Sequence, residues 1–428
     1  MAPNTPIVQL LEKADYRKQH LVKLPDSLPA PPLGESQVRI RSSIISLTVN
    51  NITYAKLGDA LGWWNVWLPP PSLPEPYTDT SKYGRVSAWG YCTVIDSTIS
   101  SLPVGSKLYG YLPIATLPEV LDLQESADAP GYYTENSPHR QHLFPIYNRY
   151  IKPPLAGLTP DGNEQSMAFE SIMHISFETE FNLNRHVFSW DPARPFIQPG
   201  LGMPNNPEWT AENADLKDAV VVILAASGKN ALAFAYNLKH NRPSAHKPSK
   251  VIAVGSEPSL PFLTSTNLHD NAFPYSFING SNPNLKSDLG ITSPSTKIAI
   301  LNFGARGDSA TEWAGALANL TTTKLTLVAI GSDPAVTEPS VLAARMAKNA
   351  EQGWVRMNAS GTKELSMKML GEKGYFEQLG KEWDGFMKDR ETLGLEIELG
   401  DGMDGVGKGW DRLTEGRVES KTGLVFKL

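Results

Sequence analysis

One cysteine, Cys92, in 428 residues excludes an internal disulfide and any cysteine-rich zinc cluster, so its thiol is read as buried filler. Neither sign of charge dominates. With 39 Lys and Arg against 45 Asp and Glu, the net charge is -6, and no basic stripe exists to release counterions from nucleic acid or anionic lipid. Long apolar runs are missing too: the longest, Ala219 to Ala226, is too short to cross a bilayer. The opening MAPNTPIVQL lacks the basic and apolar regions of a secretion signal. These absences point to a cytoplasmic chain whose partner is a small molecule, not nucleic acid and not a membrane.

Several catalytic signatures are also lacking. No G-x-S-x-G elbow is present, and no tyrosine is followed four positions later by lysine, which disfavours an α/β-hydrolase and the short-chain dehydrogenase pair. A phosphate-binding P-loop fails because Ile223 stands where its first glycine belongs and Asn230 where its Mg²⁺-binding hydroxyl belongs. His139 and His142 have a usable spacing in PHRQH, but no third ligand is in view and they read as solvated. GDGMDGVG, residues 400–407, lacks the spacing of a calcium loop and reads as a plain loop.

What is present divides into four stretches. Residues 1–115 alternate short strands such as Gln37 to Arg41 and Val86 to Ile95 with proline and glycine turns, as expected of a β-rich barrel or sandwich. Residues 116–213, rich in Pro, Asn, His and Tyr, read as an insertion with one helix around Glu164 to Asn184. From 214 to 345 the pattern is α/β. DAVVVILAAS, KVIAVGS, KIAILNF and KLTLVAIGS are apolar runs spaced for βαβ units, which predicts a doubly wound parallel sheet. Residues 346–428 end in WDRLTEGRVESKTGLVFKL, a helix, a turn and a closing strand that needs a partner.

The first crossover carries the densest functional signal. Ala225, Gly228 and Ala231 form an A-x-x-G-x-x-A loop between strand and helix, where small residues let the backbone approach a diphosphate at a helix N-terminus. Ser227 and Asn230 offer a hydroxyl and an amide, and Lys229 a charge. Gly255-Ser256 ends the second strand without an acidic residue at its tip, which leaves room for a 2′-phosphate and favours NADP(H); Glu257, one step on, keeps NAD open. Asn302, Gly304 and Gly331 fall on the same carboxyl edge, facing a nicotinamide or serving as turn residues.

Assembled in order, the chain resembles the medium-chain dehydrogenase/reductase superfamily. The resemblance rests on the closing helix and strand and on LPVGSKLYGY, and it covers most of the chain outside the insertion. It implies a GroES-like β-barrel domain completed by the C-terminal strand, plus a Rossmann-type doubly wound sheet. SLTVNNITYA (46–55), YGRVSAWGY (83–91), KLYGYLP (107–113) and YNRY (147–150) are similar to a little-characterised domain-of-unknown-function branch, zinc-free and quinone-reductase-like. That likeness implies either a homodimer through an edge strand at Leu325 to Ile330 or an insertion that covers this edge. It also places Tyr54, four residues before Gly58, in the substrate cleft as polariser or proton donor, with Asn50, Asn51 and Tyr147 as positioners. In the bland alternative Asn50-Asn51 is a turn, Tyr54 packs under the barrel, and Trp63, Trp64 and Trp67 form a packing cluster. Val49 stands at the superfamily's catalytic cysteine position, so no metal is expected.

The expected activity is a zinc-independent, NADPH-dependent reduction of an activated C=C or C=O in a small, mostly apolar substrate. Three departures feed the alternative of a redox-inactive scaffold, either a cofactor-free cyclase or isomerase or a noncatalytic binding protein. Ala225 replaces the first loop glycine, Lys229 replaces a small residue, and Glu170 stands where related chains carry an arginine able to hold phosphate or carboxylate.

Overall fold

Alternating apolar and polar residues over short runs, cut by turns, form the first nine strands: β1 (Ile7–Glu12), β2 (Asp15–Lys23), β3 (Gln37–Leu47), β4 (Tyr83–Gly84), β5 (Ser87–Ser97), β6 (Lys107–Pro113), β7 (Glu119–Glu125), β8 (Tyr132–Glu135) and β9 (Arg149–Ile151). The computed structural model describes residues 5–428 except 26, 27, 29, 71, 161–162, 204–205, 280–281, 336 and 338. Six strands close a barrel in the order β3-β5-β6-β9-β8-β7, because β7 also pairs with β3. β1, β2 and β4 make a small separate sheet.

Residues 116–213 are therefore not an insertion outside the barrel: they supply β7, β8 and β9. These strands escaped the sequence reading because β8 and β9 are very short and lie among proline-bounded turns.

The β-branched runs form the six-stranded parallel sheet. Its strands are β10 (Val220–Leu224), β11 (Lys250–Gly255), β12 (Asn271–Pro274), β13 (Ile298–Phe303), β14 (Thr326–Gly331) and β15 (Val355–Arg356), in the order β12-β11-β10-β13-β14-β15. Every residue of β10 is buried, as a strand covered on both faces must be. β15 carries the sheet past residue 345. The last strands, β16 (Glu396–Asp401) and β17 (Thr422–Lys427), return to the barrel, where β17 pairs antiparallel with β3, Leu424 opposite Leu47.

Leu325 to Ile330 is not a free edge. β14 lies between β13 and β15, and the outer side of Arg356 is taken by the Asn206 amide: Arg356 N donates to Asn206 Oδ1 at 2.8 Å and Asn206 Nδ2 donates to Arg356 O at 3.3 Å. A side-chain amide thus stands in for a neighbouring strand at Arg356.

One helix, Glu164–Asn182, runs through the middle, buried from Ser166 to Asn182. It packs on β3 and β5, on the helix Lys229–Tyr236 that follows β10, and on the C-terminal helices Ala359–Leu370 and Glu372–Asp389. The main core spans the barrel, this helix and one face of the parallel sheet, while a second core covers the sheet's other face.

Barrel closure depends on a close approach across β3 and β5. A Cβ on Gly90 would lie 2.1 Å from the Ile44 carbonyl oxygen, a backbone atom that cannot swing aside. Gly90→Ala should lower stability by about 1–3 kcal/mol, read as a fall in the thermal unfolding midpoint; an unchanged midpoint would refute the close approach.

Candidate functional site

The parallel sheet presents its carboxyl edge to the barrel, and the expected residues gather there unevenly. After β10 the chain turns at Ala225, whose φ of +57° is left-handed, and Gly228 starts the helix Lys229–Tyr236 in an extended conformation. Among the described residues, the backbone N–H groups of Ser227, Lys229, Asn230 and Ala231 have no acceptor, whereas Gly228 N bonds Ala225 O at 3.0 Å. Four free donors at a helix N-terminus beside small residues fit a diphosphate.

The side chains of Lys229 and Asn230, however, turn away from this cradle. Lys229 Nζ donates to the Ser420 and Thr422 carbonyls at 3.1 and 2.7 Å, clamping the loop to the start of β17. Burial pulls its ammonium down to about 8. Asn230 Nδ2 donates to Glu180 Oε1 at 3.1 Å.

The other edge residues serve backbone packing. Asn302 Oδ1 accepts from Gly304 N and Ala305 N at 3.0 and 2.8 Å. A Cβ on Gly304 would meet Ser332 O at 2.5 Å, and one on Gly331 would meet Phe303 O at 2.3 Å. Gly255 makes room for the Ser259 hydroxyl, while half-buried Ser256 offers its carbonyl to Ser259 and keeps its own hydroxyl unbonded among the described residues.

Sequence reasoning missed two residues here. Tyr275, just after β12, has its phenol at the Ala225 backbone; burial raises it to about 12 against the downward pull of the Arg306 guanidinium. Arg306 itself is exposed and has no ion-pair partner among the described residues. The rule that ligands sit at the carboxyl ends of parallel strands would have singled out this arginine, three residues past β13.

On the barrel side, the helix Val49–Lys56 opens with a capping box. Thr48 accepts from Asn50 N, and Asn51 Oδ1 accepts from Thr48 N at 2.7 Å while Asn51 Nδ2 donates to Ser87 O at 2.8 Å. Asn51 thus holds the helix on β5. Asn50 is half-buried at the first turn.

Tyr54 is 5% exposed inside an aromatic cluster, with ring centroids 4.9 Å from Trp63, 5.1 Å from Tyr111 and 5.7 Å from Tyr147. It is therefore enclosed, not open to a cleft. Its oxygen accepts from Trp89 Nε1 at 3.0 Å, and the Tyr147 hydroxyl is within hydrogen-bonding reach. Burial pushes the Tyr54 phenol well above its ordinary value, against the pull of those two donors.

The same helix touches the opposite wall. Thr53 Oγ1 lies 3.2 Å from Ser332 Oγ, and Lys56 Nζ donates to the Asp333 and Ala335 carbonyls, both at 2.7 Å. Trp64 packs on Gly58 and Gly84. The His139 and His142 rings meet the carbonyls of Val66 and Gly62, and no group of three His, Cys, Asp or Glu among the described residues could hold a metal ion. No described helix is long and apolar enough to cross a membrane. Cys92 is buried in β5, its thiol raised by burial to about 12.

Glu170 lies away from the nucleotide loop. It accepts from the Tyr91 hydroxyl and from Thr159, joining the central helix to the barrel, and burial raises its carboxyl.

A model of the family described as "Protein of unknown function (DUF2855)" matches residues 45–419. Among curated proteins a sequence search finds no match. CurA from Vibrio vulnificus superposes with a TM-score of 0.53 at 12% identity, covering 99% of this chain and 98% of that one. The complex of that protein with NADPH gives 0.52 at 10%, with the same coverage. The CurK enoyl reductase gives 0.51 at 13%, with 99% of both chains covered. The likeness is one of fold, that of medium-chain dehydrogenases/reductases.

Behind the site, His174 is 1% exposed between the Tyr109 and Trp383 rings, and burial lowers its imidazole to about 4 from 6.5. Between those two values the unfolded chain binds a proton that the folded one refuses, so stability is lost as pH falls through this window. His174→Phe should remove on the order of 3 kcal/mol of this acid sensitivity, measured by urea unfolding at pH 7 and pH 4.5; equal losses in both proteins would contradict it.

Proposed function

The chain belongs to the DUF2855 family, and from that premise we propose that it is a zinc-independent, NADPH-dependent reductase of an activated C=C or C=O in a small, mostly apolar substrate. The observation that carries the reading is the cradle: four free N–H groups on Ser227, Lys229, Asn230 and Ala231, at the centre of a doubly wound sheet, with unpaired Arg306 on the same edge. Those amides and the Arg306 guanidinium would hold the diphosphate, and Ser256, without an acidic side chain at the strand tip, would admit a 2′-phosphate. When bound, the cofactor supplies hydride.

The chain's own residues would do the rest. A substrate oxygen reaching the Tyr54 hydroxyl would accept its proton, while Trp89 Nε1 holds the phenol oxygen in place. The raised phenol stays neutral at physiological pH and so acts as polariser and proton donor. Rings of Trp63, Tyr111 and Tyr147 keep water out.

One observation favours the second reading, a redox-inactive binding scaffold. Lys56 and Thr53 close the barrel helix onto the loop after β14, where a nicotinamide half would lie.

Nicotinamide fluorescence separates the two. NADPH should bind with micromolar affinity, and Gly228→Asp, which keeps a good helix N-cap but sets a carboxylate in the cradle, should weaken it at least about 100-fold. No binding at millimolar NADPH selects the scaffold. With an enone or quinone that is turned over, Tyr54→Phe should cut kcat by roughly 100-fold or more at unchanged KM; full activity would remove Tyr54 from the mechanism.

A further inference from the structure

The central helix carries a carboxyl that neither the barrel nor the C-terminal helices use. Glu180 is 0% exposed. Its only partner is Asn230, whose Nδ2 donates to Oε1 at 3.1 Å, and Oε2 has none among the described residues. Asn230 is the second residue of the helix Lys229–Tyr236, so its side chain is tied to Glu180 while its backbone N–H is one of the four free donors. The neighbouring charges are engaged elsewhere. On the same helix Glu178 pairs with Lys363 at 2.9 Å; just past its end Arg185 bonds Glu382 at 2.8 Å; and on the facing helix Lys229 is turned to the Ser420 and Thr422 carbonyls.

We propose that Glu180 is a positioning residue for the dinucleotide cradle, fixing the first turn of the helix Lys229–Tyr236 through Asn230. This rests on the cofactor reading above only for its consequence in binding; the ordering of the turn stands on the contact itself. A charged, isolated carboxylate in this interior would be strongly disfavoured, and burial indeed holds the Glu180 carboxyl well above its ordinary value. Its Oε1 accepts from the Asn230 amide. A glutamine side chain can do the same. A leucine cannot, yet it fills similar space and removes a buried oxygen that has no partner, so it should not weaken the fold.

The variants Glu180→Gln and Glu180→Leu are compared with the parent protein by hydrogen exchange at Gly228 and over residues 232–236, whose N–H groups are hydrogen-bonded, by thermal unfolding and by NADPH titration. The glutamine variant should keep the parent's exchange protection and affinity within about twofold. Glu180→Leu should unfold at a temperature close to the parent's, yet exchange Gly228 and residues 232–236 at least about tenfold faster and bind NADPH at least about tenfold more weakly. Unchanged exchange in a folded Glu180→Leu protein overturns the proposal, as does loss of protection in Glu180→Gln. If the parent binds no NADPH, the cofactor reading fails while the exchange comparison still decides the role of Glu180.

Discussion

Burial of the helix Glu164–Asn182 is the constraint on which the rest of this structure depends. It touches barrel strands, the helix after β10 and both C-terminal helices, yet it is not apolar all round. Glu170, His174, Glu178 and Asn182 recur every four residues and so share one face. Each must find a partner or cost stability. Tyr91 and Thr159 answer Glu170, the Ala156 carbonyl answers His174, Lys363 and Tyr375 answer Glu178, and Tyr375 answers Asn182. Because those partners come from distant parts of the chain, satisfying one helix fixes how barrel, sheet and C-terminal helices meet. Lys363 shows the balance: burial alone would lower its ammonium, but the Glu178 carboxylate overrides this and the net shift is upward.

That arrangement sets the chemistry at the seam. The cradle after β10 keeps its donors free because the side chains flanking it are pulled backward, Asn230 to the central helix and Lys229 to the start of β17. On the facing wall, the capping box of Val49–Lys56 aims Tyr54 into the aromatic cluster and Lys56 across to the Asp333 loop. On each wall a lysine reaches backbone carbonyls, Lys229 those of Ser420 and Thr422 and Lys56 those of Asp333 and Ala335.

The parts of the fold written in local pattern were legible. β10 is a run of five β-branched or leucine side chains because both its faces are covered, and the turn after it needs small residues for backbone reasons alone. The strands β7 to β9 were not legible: a three-residue strand such as β9 has no measurable periodicity, and only its partners define it. Asn51 is read by type as a substrate ligand, and the structure adds that its amide bonds Thr48 and Ser87, the latter a contact 36 residues away that no local pattern announces. Glu180 went unseen for the same reason, since what marks it is the singleness of its partner.

The sequence by itself determined the two-unit architecture, the parallel sheet, the returning terminal strand and the small-residue loop at the first crossover, because each is encoded in hydrophobic period, turn chemistry and spacing that act over a few residues. Only the tertiary structure decided where the barrel ends, that the sheet edge is stopped by Asn206, and which of the polar residues near the seam remain free. Those outcomes turn on which buried donor finds which acceptor across hundreds of residues, and that pairing exists only once the chain has folded.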